Sequence, residues 1–158
     1  MAKYAWAAEL LNLNTMKIDF ENAAKRHYRD GELLYAHSYW ANADQLYGLS
    51  AECILKRIIV SLDPNSVNQT TGDFTDQDHK KHLNKNNATG LWNYFSITFA
   101  GRLAQHSLPS VNGFGDWDIF QRYVHESYID QHRADSHRLA TITLHELFDK
   151  LFEDGVIQ

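Results

Sequence analysis

The chain has 158 residues, a length that suits one domain able to bury roughly two thirds of its unfolded surface, so no linker or second domain is expected. A composition that is 44% hydrophobic and 13% aromatic, with two prolines, excludes a largely disordered protein and leans towards helix. Fifteen basic against twenty acidic residues give a formal charge of -5, which excludes tight nonspecific nucleic-acid binding by a global field and leaves only a local basic patch for that role.

Residues 2–13 read as a short amphipathic helix carrying Tyr4, Trp6, Leu10, Leu11 and Leu13, placed to cap a bundle or touch a second subunit. The longest uncharged run there, Tyr4 to Ala8, is too short for a signal-peptide core or a membrane span. The one cysteine, Cys53, cannot form an internal disulfide. A reducing, cytoplasmic setting without membrane contact is therefore expected.

Two long apolar stripes follow. Phe20, Ala23, Ala24, His27, Tyr28, Gly31, Leu34 and Tyr35 recur at steps of three and four, predicting a helix over 18–37. Ala43, Leu46, Tyr47, Ser50, Ala51, Ile54, Leu55, Ile58, Ile59 and Leu62 do the same over 41–62, lining one side of a helix at ~100° per residue. The corner between them, Ser38-Tyr39-Trp40, is so short that the helices must fold back antiparallel. Asp63-Pro64 ends the second, because proline lacks the amide donor and disfavours helix in the residue before it.

A loop over 65–75 is expected, then a short basic helix over 77–85 capped by Asp76. Residues 91–104, with Trp92, Phe95, Ile97, Phe99 and Leu103, predict a buried helix. The stretch 105–115, with Pro109, Asn112, Gly113 and Gly115, predicts a loop. Residues 116–130 read as another helix. The last, over 133–154, turns Ala134, His137, Ala140, Leu144, Leu147, Phe148 and Leu151 inward and stops at Gly155. Trp92 and Trp117 are assigned to the core, since large aromatics at helical spacing supply burial.

Several polar groupings could carry chemistry. Lys80, Lys81, His82 and Lys85 form the best basic patch, able to contact phosphates without reading bases, or else a solvated face. His79 and His82 have the spacing of a zinc pair, but neighbouring lysines oppose a cation and no cysteine is near, so no metal site is assigned. His132, Asp135 and His137 lack a nucleophile nearby. No phosphate-cradling glycine loop, nucleophile elbow or dinucleotide fingerprint occurs, so no cofactor is expected. Glu52, on an apolar helix, needs a partner, and Arg122 or Arg138 is expected to supply it as a structural pair.

The segment AAKRHYRDGELLYAHSYWANADQLYGLSAECILKRII, residues 23–59, resembles the opening hairpin of the HEPN superfamily of small helical domains. The likeness lies in the aromatic corner, the small residues Ala41, Ala43 and Ser50, and Glu52 followed by Lys56. It implies an all-α, up-and-down bundle of four to six helices with a long N-terminal hairpin, spanning 1–158. The family contains bacterial toxins, nucleotidyltransferase partners and RNases, and commonly forms homodimers.

Active members resemble one another in an arginine, four to six residues and a histidine. They cleave RNA without metal, the arginine holding phosphate and the histidine moving protons. Arg138 and His145 meet that spacing and fall on nearly one helical face, although Leu139 and Glu146-Leu147 stand where the family has a polar residue and a tyrosine. Arg122, His125 and Tyr128 form a tighter alternative. For either set the competing reading is a solvent-facing helix edge. The resemblance thus implies an interaction or regulatory module in a bacterial nucleic-acid or toxin–antitoxin setting, or else a metal-independent ribonuclease.

Overall fold

A computed structural model describes residues 16–84 and 90–158. The helix expected over 2–13 and Lys85 lie outside them. The described chain is all-helical: α1 (Phe20–Ala36), α2 (Trp40–Leu62), α3 (Leu91–Thr98) and α4 (Gln131–Glu153), with single turns of 3-10 helix at Pro64–Ser66, Ala100–Arg102, Ile119–Tyr123 and Glu126–Tyr128. The only bridge of β type among these residues joins Val67 to Phe74 and closes the loop after α2.

The antiparallel hairpin forms as its sequence predicts. Asp19 caps α1, its side chain accepting the Asn22 amide at 2.9 Å. At the other end Ser38 takes a left-handed conformation (φ 63), letting the Ser38 amide reach Tyr35 O and the Tyr39 amide reach Leu34 O, both at 3.0 Å. That is a Schellman ending, which reverses the chain within three residues. Close approach needs small groups: a Cβ on Gly31 would stand 3.0 Å from the Tyr47 ring.

The direction of α4 follows from its partners on α2. His137 meets Asp44, Thr141 meets Tyr47 and His145 meets Ser50. The numbering rises together on both helices, so α4 runs parallel to α2 and antiparallel to α1. Ile54, Leu55, Ile58 and Ile59 of α2 bury against Leu144, Leu147, Phe148 and Leu151 of α4, with Phe95, Phe99, Leu103, Phe114 and Trp117 closing the core. Each such aliphatic side chain contributes about 1.5–3 kcal/mol on burial. α4 ends at Gly155 (φ 69), where the Val156 amide returns to Leu151 O at 2.9 Å.

Three expected helices differ. No helix covers the described residues 77–84: the Asp76 carboxylate accepts the Asp78 amide at 2.6 Å, making a local turn that competes with helix, and His79, Leu83 and Asn84 are then drawn inside. The helix begun at Leu91 stops at Thr98, giving way to one 3-10 turn and a left-handed Ala104 (φ 54). Residues 116–130 form two 3-10 turns instead of a helix. Trp117, Ile119 and Gln121 are buried and Phe120 is exposed, an alternation that an α-helix cannot produce. The irregular stretch 103–130 thereby returns the chain to the hairpin corner.

Candidate functional site

Arg138 and His145 both leave α4 towards the α1–α2 hairpin. Their separation of seven residues sets them roughly 10 Å apart along the axis. The Arg138 fork is filled: Nε and Nη2 each donate to Glu32 at 2.6 Å, while the Tyr47 hydroxyl donates to Glu32 Oε1 at 2.8 Å. Its guanidinium also lies 5.3 Å from the centre of the Tyr35 ring. Against the upward pull of burial, the Arg138 bond holds Glu32 below the usual carboxylate range, and Glu32 in turn raises Arg138. Burial first, then Glu32, pushes the Tyr47 phenol up.

His145 is half-buried beside Tyr28, ring centres 5.1 Å apart. Its Nε2 is 2.8 Å from Ser50 Oγ, and the Ser50 hydroxyl donates to Ala24 O at 2.8 Å. With that proton committed, Ser50 accepts from His145, which assigns the His145 proton to Nε2 and a lone pair to Nδ1. Burial lowers His145, favouring the neutral ring. Such a group can accept a proton, but the Nε/Nη2 edge of Arg138 is taken, and a phosphate would gain that edge only by displacing Glu32.

Arg122, His125 and Tyr128 share no helical face, because 119–128 is not α-helical. Arg122 stacks on Tyr123, 4.8 Å from the ring centre. His125 Nδ1 caps the next turn, 3.3 Å from the Ser127 amide nitrogen. The two nevertheless stand on adjoining cavities. Arg122 lines one of about 110 Å³, His125 one of about 420 Å³, and Ala41 and Glu126 belong to both walls. Tyr128 is exposed and lines neither.

The described part of the basic patch is neutralised by neighbours. Lys80 pairs with Asp73 at 2.9 Å and Lys81 with Asp78 at 3.0 Å. His82 Nδ1 approaches Glu52 Oε2 at 3.3 Å, and the Leu83 amide donates to the same oxygen at 3.0 Å. Glu52 is completed by Lys56 at 2.8 Å, one turn along α2, rather than by Arg122 or Arg138 as its sequence context predicts. Burial opposes ionisation of Glu52, but His82 and Lys56 outweigh it and hold the carboxyl low. The imidazole of His79 is buried against Phe74, its Nε2 3.3 Å from the Tyr94 hydroxyl. Among the described residues no three His, Cys, Asp or Glu side chains are grouped to hold a metal ion.

One network escaped the sequence reading. His137, fully buried, lies between Asp44 Oδ1 at 2.5 Å and Asp116 Oδ1 at 2.9 Å, and its ring stacks on Phe114. The Gln121 amide donates to the other Asp44 oxygen, and Arg133 Nη1 stands 3.3 Å from Asp116 Oδ2. Asp135, grouped with His137 by sequence proximity, instead accepts from the Tyr35 hydroxyl. The available signal was polar residues, Asp44 and His137, inside apolar stripes, where burial demands partners.

No family model matches the chain, and no curated protein or solved structure matches it. What fold and side chains define is an all-helical protein built on a hairpin, with its arginines and histidines mostly engaged. No described helix is long and apolar enough to cross a membrane.

Proposed function

We propose that this chain is an HEPN-like interaction or regulatory module, working in a bacterial nucleic-acid or toxin–antitoxin setting, as a homodimer or with a nucleotidyltransferase-type or other protein partner. The observation that carries the reading is the bidentate Arg138–Glu32 pair, which occupies the Nε/Nη2 edge of the guanidinium and offsets its charge. The pairing of Lys80 and Lys81 with aspartates points the same way. Incubation with RNA in EDTA is expected to give no cleavage by the wild type, His145→Ala or His125→Ala. Robust cleavage abolished by either single change would overturn the proposal.

The second reading, a metal-independent ribonuclease, draws support from one feature: Arg122 and His125 are exposed on adjoining cavities, free of carboxylate partners among the described residues. In this reading an arginine for phosphate and a histidine for proton transfer would meet across two subunits. The same assay, comparing Arg122→Ala and His125→Ala, separates the two readings.

A further inference from the structure

The hairpin corner and the 119–128 stretch together expose an unusual amount of aromatic surface. Tyr39, Phe120, Tyr123, Val124 and Tyr128 are each between 45 and 75% exposed. Tyr39 and Val124 line the smaller of the two cavities that share Ala41 and Glu126, and Phe120, Tyr123 and Tyr128 are chain neighbours of lining residues, so the feature is a shelf with two recesses. Tyrosine, phenylalanine and arginine at the surface are the residue types that dominate protein–protein recognition. Their backbone is well anchored: Asp118 and Gln121 form a capping box, Trp117 is locked beneath by its indole bond to Asp44 O at 3.1 Å, and Ile119 and Ile129 are buried. A shelf on so fixed a base can bind without first becoming ordered.

Charge decides between occupants. Glu126 lines both recesses and Asp130 the larger one, while Asp118 caps the turn bearing Phe120 and Tyr123. None of the three carboxylates is paired with a described Lys or Arg; Asp118 and Asp130 accept backbone amides, and Arg133 turns to Asp116. Against them stands one guanidinium, Arg122, already stacked on Tyr123. The shelf therefore joins exposed aromatic rings to an acidic rim. RNA phosphates would be repelled by it. A second copy docking through a two-fold axis would bring carboxylates against carboxylates.

Resting on the interaction-module reading, we infer that this shelf docks a protein partner through a basic, aliphatic segment: apolar side chains on the exposed rings and in the larger recess, lysines or arginines on Asp118, Glu126 and Asp130. The test uses fluorescence anisotropy with three labelled probes: a short peptide alternating leucine and lysine, its leucine–glutamate counterpart, and single-stranded oligouridine. The Leu–Lys peptide is expected to bind the wild type, to bind at least about tenfold more weakly to Tyr123→Ser/Tyr128→Ser and to Glu126→Gln, and to bind Ile97→Ser, an exposed change on α3, as the wild type does. The other two probes are expected not to bind. Because all substituted side chains are exposed, unchanged circular dichroism is expected and confirms that folding is not the cause.

Equal peptide affinity across wild type and shelf variants would overturn the proposal. So would oligouridine binding lost in the tyrosine variant, or wild-type self-association lost in it. RNA cleavage in EDTA reads the parent proposal independently: a cleaving protein that still takes the Leu–Lys peptide on the shelf sinks the non-catalytic reading alone. A non-cleaving protein whose peptide binding ignores the shelf sinks only this one.

Discussion

His137 shows how one side chain ties a fold to pH. Burial by itself lowers its proton affinity, but Asp44 and Asp116 outweigh that and raise it. A histidine raised on folding stabilises fully below its unfolded pKa of about 6.5, and the contribution is lost as pH rises through the folded value. His27 and His145 act in the opposite sense, since burial lowers both. Comparing wild type with His137→Gln isolates the effect: the wild type's stability advantage in urea is expected to be largest in mild acid and to shrink as pH rises. A gap that grew with pH would mean that His137 is held neutral in the fold, and a gap independent of pH that folding leaves its proton affinity unchanged.

Between elements, the decisive quantities are steric. A Cβ placed on Gly48 would stand 1.9–2.4 Å from three atoms of the fully buried Trp117 indole, so α2 accepts that ring only because residue 48 lacks a side chain. Gly48→Ala is expected to destabilise by about 2–3 kcal/mol or more. Ser38 presents the reverse case, a non-glycine residue in the left-handed corner of the hairpin. There Ser38→Gly is expected to stabilise by roughly 0.5–1 kcal/mol, since it removes the Cβ clash while keeping the Schellman bonds. Urea midpoints check both, and a neutral Gly48→Ala would show that Trp117 can be rehoused.

Across the whole molecule α2 is the axis, buried along most of its length between α1, α4 and the segments that follow it. Cys53 sits on this axis and reports its integrity. Burial first, then the charge of Glu52, pushes its thiol up to about 12, leaving almost no thiolate at neutral pH. Reaction with a disulfide reagent at mildly alkaline pH is therefore expected to be slow in the native protein. It should accelerate along the same urea transition that circular dichroism follows. Fast labelling of the folded chain would show that α2 is locally open.

The paired stripes were legible because two helices joined by three residues can bury their apolar faces only by folding back, and α4 was legible from its inward leucines and Gly155. Residues 77–84 and 116–130 were not. Their helix-compatible composition was overruled by Asp76 and Asp118 binding nearby amides and by Leu83, Trp117 and Ile119 being drawn into the core. Spacing alone placed Arg138 and His145 on one side of α4, yet nothing local could show that Glu32 and Ser50 would meet them. The amino-acid sequence by itself determined an all-helical hairpin protein, since periodicity is a local property. The partners of Arg138, Glu52 and His137 were decided only by tertiary structure, because each ion pair or hydrogen bond depends on which faces the packing brings together.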